Sequence, residues 1–235
     1  MNTIGIDTSN HILSIAIMND DGLVGELTTN LKVNHSERLL PAIHDLMDTI
    51  DMSPSSLEKV VVAKGPGSYT GVRIGLTTAK SLAWTLDIPI VGVSSLEALA
   101  YQGRLSTYRI CPFFDARRQR VYTGLYEWKK DRMVLLKQEQ NIDMEKWLSY
   151  LAEKKEKVLF LSPHISLYEK MIVDYLGDLA VIPETPYHVN SASHLILASK
   201  YKSFDDVHTL VPNYLRLAEA EAKWLKAKEH TSTNE

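Results

Sequence analysis

Thr3-Ile4-Gly5-Ile6-Asp7-Thr8-Ser9-Asn10 reads as a short apolar strand that runs into an acid and then a polar bend. Ile12 to Met18 returns as a second strand, Asp20-Asp21-Gly22 turns, and Leu23 to Thr29 reads as a third. The pattern recurs downstream. Ile110 to Asp115 is again an apolar strand ending in an acid, Arg117-Arg118-Gln119-Arg120 is a polar bend, and Val121 to Trp128 is the returning strand. Asp7 and Asp115 therefore mark a repeat with a period of roughly 108 residues, longer than any solenoid repeat. It points to two related lobes, residues 1–105 and 106–235, each opening with a hairpin or meander.

Between the hairpins, Leu39, Leu40, Ile43, Leu46, Met47 and Ile50 recur at three- and four-residue spacing, one stripe of a helix. Asn34 with Glu37 suits a capping box, with Ser36 as an alternative cap. Pro41 is expected to kink this helix unless it lies in the first turn. Val60 to Ala63 reads as a strand, a glycine-rich run leads into a helix through about Leu86, Ile88 to Val93 is a strand, and Ser94 or Ser95 caps a helix towards Tyr101. The first half is thus α/β, in the order β-β-β-α-β-α-β-α.

After the second hairpin come a helix at Met144–Leu151, a charged connector at Glu153–Lys157, a strand at Val158–Leu161 and a helix at Ile165–Leu176. A strand at Ala180–Ile182 and a stiff loop at Pro183–Pro186 follow. Next is a helix at Ser193–Tyr201 capped by Ser191 or Ser193. An Ala/Glu/Lys helix at Ala218–Lys228 closes the chain, with a disordered tail expected at Thr231–Glu235.

The composition is that of an ordinary globular protein: 235 residues, 45% hydrophobic, 23% charged, net charge -3. It lacks the clustered Lys/Arg excess of a nucleic-acid surface, so this chain is not expected to grip RNA alone. The single cysteine, Cys111, rules out a disulfide within the chain and fits a reducing cytoplasm. Its apolar neighbours, Ile110 to Phe114, make it a small buried hydrophobe. No apolar run of about 18 residues and no basic-then-apolar leader is present, so neither a membrane span nor a signal peptide is expected.

Gly65-Pro-Gly-Ser-Tyr-Thr-Gly-Val-Arg-Ile-Gly75 is the most distinctive run. Two readings stand side by side. Glycines permit close backbone approach, so Gly71 and Gly75, about one turn apart, let the helix pack tightly on a neighbour. Alternatively, a loop feeding a helix N-terminus, with Ser68 or Thr70 as cap, binds a phosphate. It is not a Walker A loop, because no Gly-Lys-Ser/Thr ends it and Lys80 lies too far along. None of the eight histidines has another four residues away. His188 and His194 are six apart and His35 and His44 nine, so no helix-face metal pair is expected. There is no Gly-x-Ser-x-Gly nucleophile elbow. Arg117, Arg118 and Arg120 read either as a solvated bend or as a contribution to partner or RNA binding.

At the glycine-rich run the chain resembles the TsaB (YeaZ) family, sister to the catalytic TsaD family. The supporting pieces are Gly5-Ile-Asp-Thr-Ser9, His35-Ser-Glu-Arg-Leu-Leu-Pro41, Asp115-Ala-Arg-Arg118 with Val121-Tyr122, and Tyr214-Leu-Arg216 with Glu219. The resemblance spans nearly the whole chain and is weakest from about 130 to 210. It implies an actin-like (ASKHA) α/β fold of two lobes, each a mixed sheet flanked by helices. It also implies that Asp7, Thr8, Ser9 and Asp115 are vestigial nucleotide positions facing phosphates, and that Gly65, Gly67, Gly71, Arg73 and Gly75 form a structural motif. The bend at Asp7 lacks a glycine, and Leu161-Ser-Pro-His164 stands where a Gly-Gly adenosine loop is usual, so tight ATP binding by this chain alone is not expected.

The function implied is that of a non-catalytic subunit in the making of threonylcarbamoyladenosine at position 37 of tRNA. It would bind a TsaD-type catalyst and support recruitment of a TsaE-type ATPase, with a TsaC-type enzyme completing the pathway. tRNA would be reached through the complex, and a homodimer would form through the same helices when the partner is absent. No cofactor is then required by this chain, ATP and metal being expected on the partner subunits. The expected partner surface comprises Leu39, Leu40, Ile43 and Met47 on one helix and Leu76, Ala79, Lys80, Ala83 and Trp84 on the next. Two alternatives remain at this point: a stand-alone actin-fold ATPase or kinase using Asp115, and a metallopeptidase.

Overall fold

One strand order occurs twice. In the computed structural model, which describes residues 1–31 and 34–215, β1 (Thr3–Asp7), β2 (Ile12–Asn19), β3 (Gly22–Asn30), β4 (Lys59–Ala63) and β5 (Ile90–Val93) form a sheet ordered β3-β2-β1-β4-β5. Then β6 (Arg109–Asp115), β7 (Arg120–Lys129), β8 (Arg132–Asp143), β9 (Val158–Leu161) and β10 (Ala180–Val181) form a sheet ordered β10-β9-β6-β7-β8. In each, the first three strands are an antiparallel meander and the last two join parallel to the first. The hairpin repeat seen at Asp7 and Asp115 is thus a repeat of whole sheets. The expected helix at 218–228, the tail at 231–235, Arg216 and Glu219 lie outside the described residues.

Among the described residues six helices layer the sheets: α1 (His35–Thr49), α2 (Tyr69–Leu86), α3 (Ser95–Ala100), α4 (Met144–Lys154), α5 (Ile165–Leu176) and α6 (Ala192–Ala198). Side chains alternate across a strand, and here the alternation feeds separate cores. Ile4, Ile6, Val60 and Val62 pack outward against α1 and α2, whereas Val61 and Ala63 pack inward with α3 and α6. That two-sided burial explains why Val60-Val-Val-Ala63 is an unbroken apolar run. On the second sheet, Phe113 and Phe160 pack outward with Trp147, Leu148 and Ile172 of α4 and α5, while Ile110, Phe114 and Leu161 join the central core. Cys111 is fully buried, its thiol pKa pushed up to about 11 by burial, and it accepts a hydrogen bond from Trp147 Nε1 at 3.2 Å.

The central helices are exchanged between the halves. α3, from the first half, packs on β6 and β7, whereas α6, from the second, packs on β1 and β2. Gly5 makes room for α6, since a Cβ there would lie 2.7 Å from the carbonyl oxygen of Ala192. The expectation of a second lobe running from 106 to the end is corrected accordingly, because the segment after 190 returns to the first sheet. Asp205 bridges Ile90 and accepts from Gly92 N at 2.8 Å, Leu210 enters the outer core, and Asn213 N donates to Lys64 O at 2.7 Å.

Several local details differ from the expectations. Pro41 lies inside α1, beyond its first turn, and the helix runs on to Thr49 because Leu39, Ile43, Leu46 and Met47 stay buried on one side. α4 extends through Lys154 and ends at left-handed Lys155, inside the segment read as a connector. α6 stops at Ala198, and the Ser191 hydroxyl does not cap it but bonds Glu26. β8 was not anticipated: much of this edge strand is exposed and shows no apolar alternation. Among the described residues no helix is long and apolar enough to cross a membrane.

Candidate functional site

The bend after β1 is buried, and its Asp7 carboxylate, Thr8 hydroxyl and Ser9 carbonyl are all hydrogen-bonded within the chain. Asp7 Oδ1 accepts from Ser9 N at 2.8 Å and Oδ2 from Asn190 Nδ2 at 2.9 Å. Burial raises the Asp7 pKa above the ordinary carboxylate range, opposed by those donors. The glycine-rich loop and α2 then sit directly on the bend. Ser68 N donates to Ser9 O at 2.6 Å, and Thr8 Oγ1 donates to Gly71 O at 2.8 Å. A Cβ at Gly67 would fall on the Ser9 carbonyl oxygen, one at Gly71 on the Thr8 carbonyl oxygen, and one at Gly75 on Thr8 Oγ1. Of the two readings of this run, close packing is the one the geometry realises. Gly65 turns the chain at φ 95°, and Ser68 caps α2 by accepting from Gly71 N at 3.2 Å.

The second bend is open, but its acid is also committed. Asp115 Oδ1 accepts from the Tyr168 hydroxyl at 2.7 Å and from Arg117 N at 3.1 Å. The Tyr168 hydroxyl pKa is raised, by burial first and then by Asp115. Arg117, Arg118 and Gln119 are exposed and all left-handed, with φ of 65°, 54° and 58°, held by Ala116 N to Arg120 O at 2.8 Å and Met144 N to Gln119 O at 2.9 Å. From the loop after β9, the His164 ring meets His11 of the first hairpin edge-on, 5.1 Å between centroids. Burial, followed by His11, lowers the His164 pKa. In that loop Ser162 N is bonded to His188 Nδ1 at 3.1 Å. Thr8 and Ser9 thus hold α2, Asp115 holds Tyr168, and the His11 and His164 rings meet between the first hairpin and the β9 loop. Asn190 and Tyr168 complete these sites from far along the chain, and no local pattern marks either.

The expected partner surface needs correction. Leu39, Ile43 and Met47 of α1 and Leu76, Ala79 and Ala83 of α2 are buried in the chain's own outer core. A periodic stripe marks the face turned to the sheet, so spacing selected the inward residues. Lys80 Nζ is tied to the carbonyls of His208 and Leu210 at 3.2 and 3.1 Å. Leu40 and Trp84, by contrast, are 59% and 70% exposed. Leu40, Tyr69, Arg73, Ile74 and Thr77 line a groove of about 450 Å³ between α1 and α2. Arg73 lies over the Tyr69 ring at 4.1 Å, and its Nε donates to the Tyr214 hydroxyl at 2.7 Å. Among the described residues no cluster of three or more His, Cys, Asp or Glu side chains is placed to hold a metal ion.

The twice-repeated sheet with exchanged central helices defines an actin-like two-lobed α/β protein. Residues 11–224 match the family model described as TsaD, tRNA N6-adenosine threonylcarbamoyltransferase. The chain is 51% identical over 97% of its length to the full tRNA threonylcarbamoyladenosine biosynthesis protein TsaB of Bacillus subtilis. It is 35% identical to the Escherichia coli protein of the same description, over 54% of this chain and 55% of that one. A solved Pseudomonas aeruginosa structure described as similar to the peptidase YeaZ superposes with a TM-score of 0.79, at 23% identity, over 92% of this chain and 99% of that one, a likeness of fold. The chain belongs to the TsaB family of tRNA threonylcarbamoyladenosine biosynthesis proteins.

Proposed function

We propose that within this pathway the chain is a docking subunit without chemistry of its own. It binds and stabilises a TsaD-type threonylcarbamoyltransferase through the outer face of α1 and α2, and supports recruitment of a TsaE-type ATPase. The observation that carries the reading is the α1/α2 groove with Leu40, Tyr69 and Arg73 on its walls. Trp84 follows Thr77 by two helical turns and so extends the same face of α2. Exposed aromatic and arginine side chains around a groove are the usual chemistry of protein hot spots. The committed state of Thr8, Ser9 and Asp115 favours this reading over a stand-alone ATPase or kinase. In this proposal the chain needs no cofactor, ATP and metal belong to the partner subunits, tRNA is reached through the complex, the setting is the cytoplasm, and the same face forms a homodimer when the partner is missing.

Size-exclusion chromatography with light scattering, on the chain mixed with its cognate TsaD-type protein, tests the reading. A heterodimer that Leu40→Glu or Trp84→Glu weakens by about tenfold or more is expected. Absence of association at micromolar concentration, even with ATP and the TsaE-type protein present, would overturn it.

A further inference from the structure

Three consecutive residues of the first bend grip the two helices that wall the groove. Thr8 Oγ1 donates to Gly71 O in the first turn of α2 at 2.8 Å, and Ser9 O accepts from Ser68 N, the cap of α2, at 2.6 Å. Asn10 O accepts from His35 Nε2, in the first residue of α1, at 2.7 Å, which assigns the ring proton to Nε2. Thr8, Ser9, Asn10 and His35 are all buried. They reach the groove only through the chain: Ser36 follows His35, and Thr70 precedes Gly71, and both line it.

Apolar packing between α1, α2 and the sheet is non-directional. These hydrogen bonds are directional and fix where each helix begins. Gly67 and Gly71 bring α2 so close to the bend that a side chain at either position would collide with backbone. Asp7, bonded to Asn190, and Asn10 Oδ1, accepting from Ile12 N at 2.8 Å, stiffen the bend from beneath. Ser9 Oγ, Asn10 Nδ2 and His35 Nδ1 are buried without a hydrogen-bond partner among the described residues.

We infer that the Thr8–Asn10 bend, which occupies the place of a phosphate loop, is a positioning element that sets α1 against α2 and thereby the affinity of the groove for its protein partner. The inference rests on the docking reading above. Thr8, Asn10 and His35 touch no partner in this account, yet they control binding.

The test compares two pairs of full-length variants for affinity to the TsaD-type protein and for thermal midpoint. Thr8→Val and His35→Phe remove a hydrogen bond and keep the bulk, whereas Thr8→Ser and His35→Gln keep a donor. The first pair is expected to weaken binding by about tenfold and the second by less than about threefold, with all four folded. A second readout needs no partner. Spin labels at Glu37→Cys and Ser81→Cys, both exposed and undisturbed by buried Cys111, report the α1–α2 distance. That distance is expected to shift or broaden in Thr8→Val and His35→Phe and not in Leu40→Glu. If Leu40→Glu weakens binding while Thr8→Val and His35→Phe bind as wild type, the inference fails and the docking reading survives. If Leu40→Glu has no effect, the docking reading fails, and an unchanged label distance then overturns the positioning role as well. Should one of the pair fail to fold, the other carries both readouts.

Discussion

Arg104 Nη1 donates to Nε2 of His194 at 2.7 Å, joining the turn after α3 to α6 between the two sheets. The His194 pKa is pushed down to about 4, by burial first and then by Arg104. An unfolded histidine titrates near 6.5. Between those values the unfolded chain binds the extra proton, so stability is fully present above about pH 6.5 and falls as pH drops towards 4. With allowance for partial solvent screening, this one residue accounts for about 2 kcal/mol of that loss. In His194→Gln, urea titrations across the same range are expected to show a flatter pH dependence by that amount.

Glu26 of β3 serves as the N-terminal acceptor for α6, a role that Ser191 leaves vacant. Its carboxylate accepts from Ser191 Oγ at 2.7 Å, Ser193 N at 3.2 Å and Ser193 Oγ at 2.9 Å. Glu26→Ala removes all of these and is expected to cost about 1–2 kcal/mol in chemical denaturation, with Glu26→Gln costing less.

At Gly67 and Gly71 an added methyl group meets backbone, which cannot swing aside as a side chain can. Gly67→Ala and Gly71→Ala are each expected to destabilise by about 2–3 kcal/mol. Chemical denaturation of either variant at close to the wild-type midpoint would remove the packing account of the motif.

The raised pKa of Asp7 means that its charge opposes folding. Stability from this group is present at low pH and is lost as pH rises from the unfolded value through the folded one. Asp7→Asn is therefore expected to be as stable as wild type, or more so, at pH 7. The unpaired Oδ1 of Asn190 can turn to accept from the new amide. A thermal midpoint well below wild type would show that the acid itself is required.

The doubled sheet was legible because its inner strands β1, β4 and β6 are buried on both faces, which leaves apolar runs such as Val60-Val-Val-Ala63 and the strand–acid–bend pattern at Asp7 and Asp115. The residues expected at a partner surface divide between the two faces of their helices: periodicity collects those turned inward, such as Leu39, Ile43 and Ala83, whereas Leu40 and Trp84 of the same set are exposed. β8 lacked a signal because an exposed edge strand needs no apolar face. Glu26 and Asn190 meet partners 165 and 183 residues away, beyond the reach of any local pattern.

The most direct test is reconstituted threonylcarbamoyladenosine formation on tRNA, with TsaC-, TsaD- and TsaE-type proteins and this chain as wild type, as Leu40→Glu/Trp84→Glu, or as Asp115→Asn. The account predicts that Asp115→Asn sustains modification at close to the wild-type rate and that the double groove variant, though folded, does not. Loss of activity in Asp115→Asn with full activity in the groove variant would contradict it, and would place chemistry in this chain.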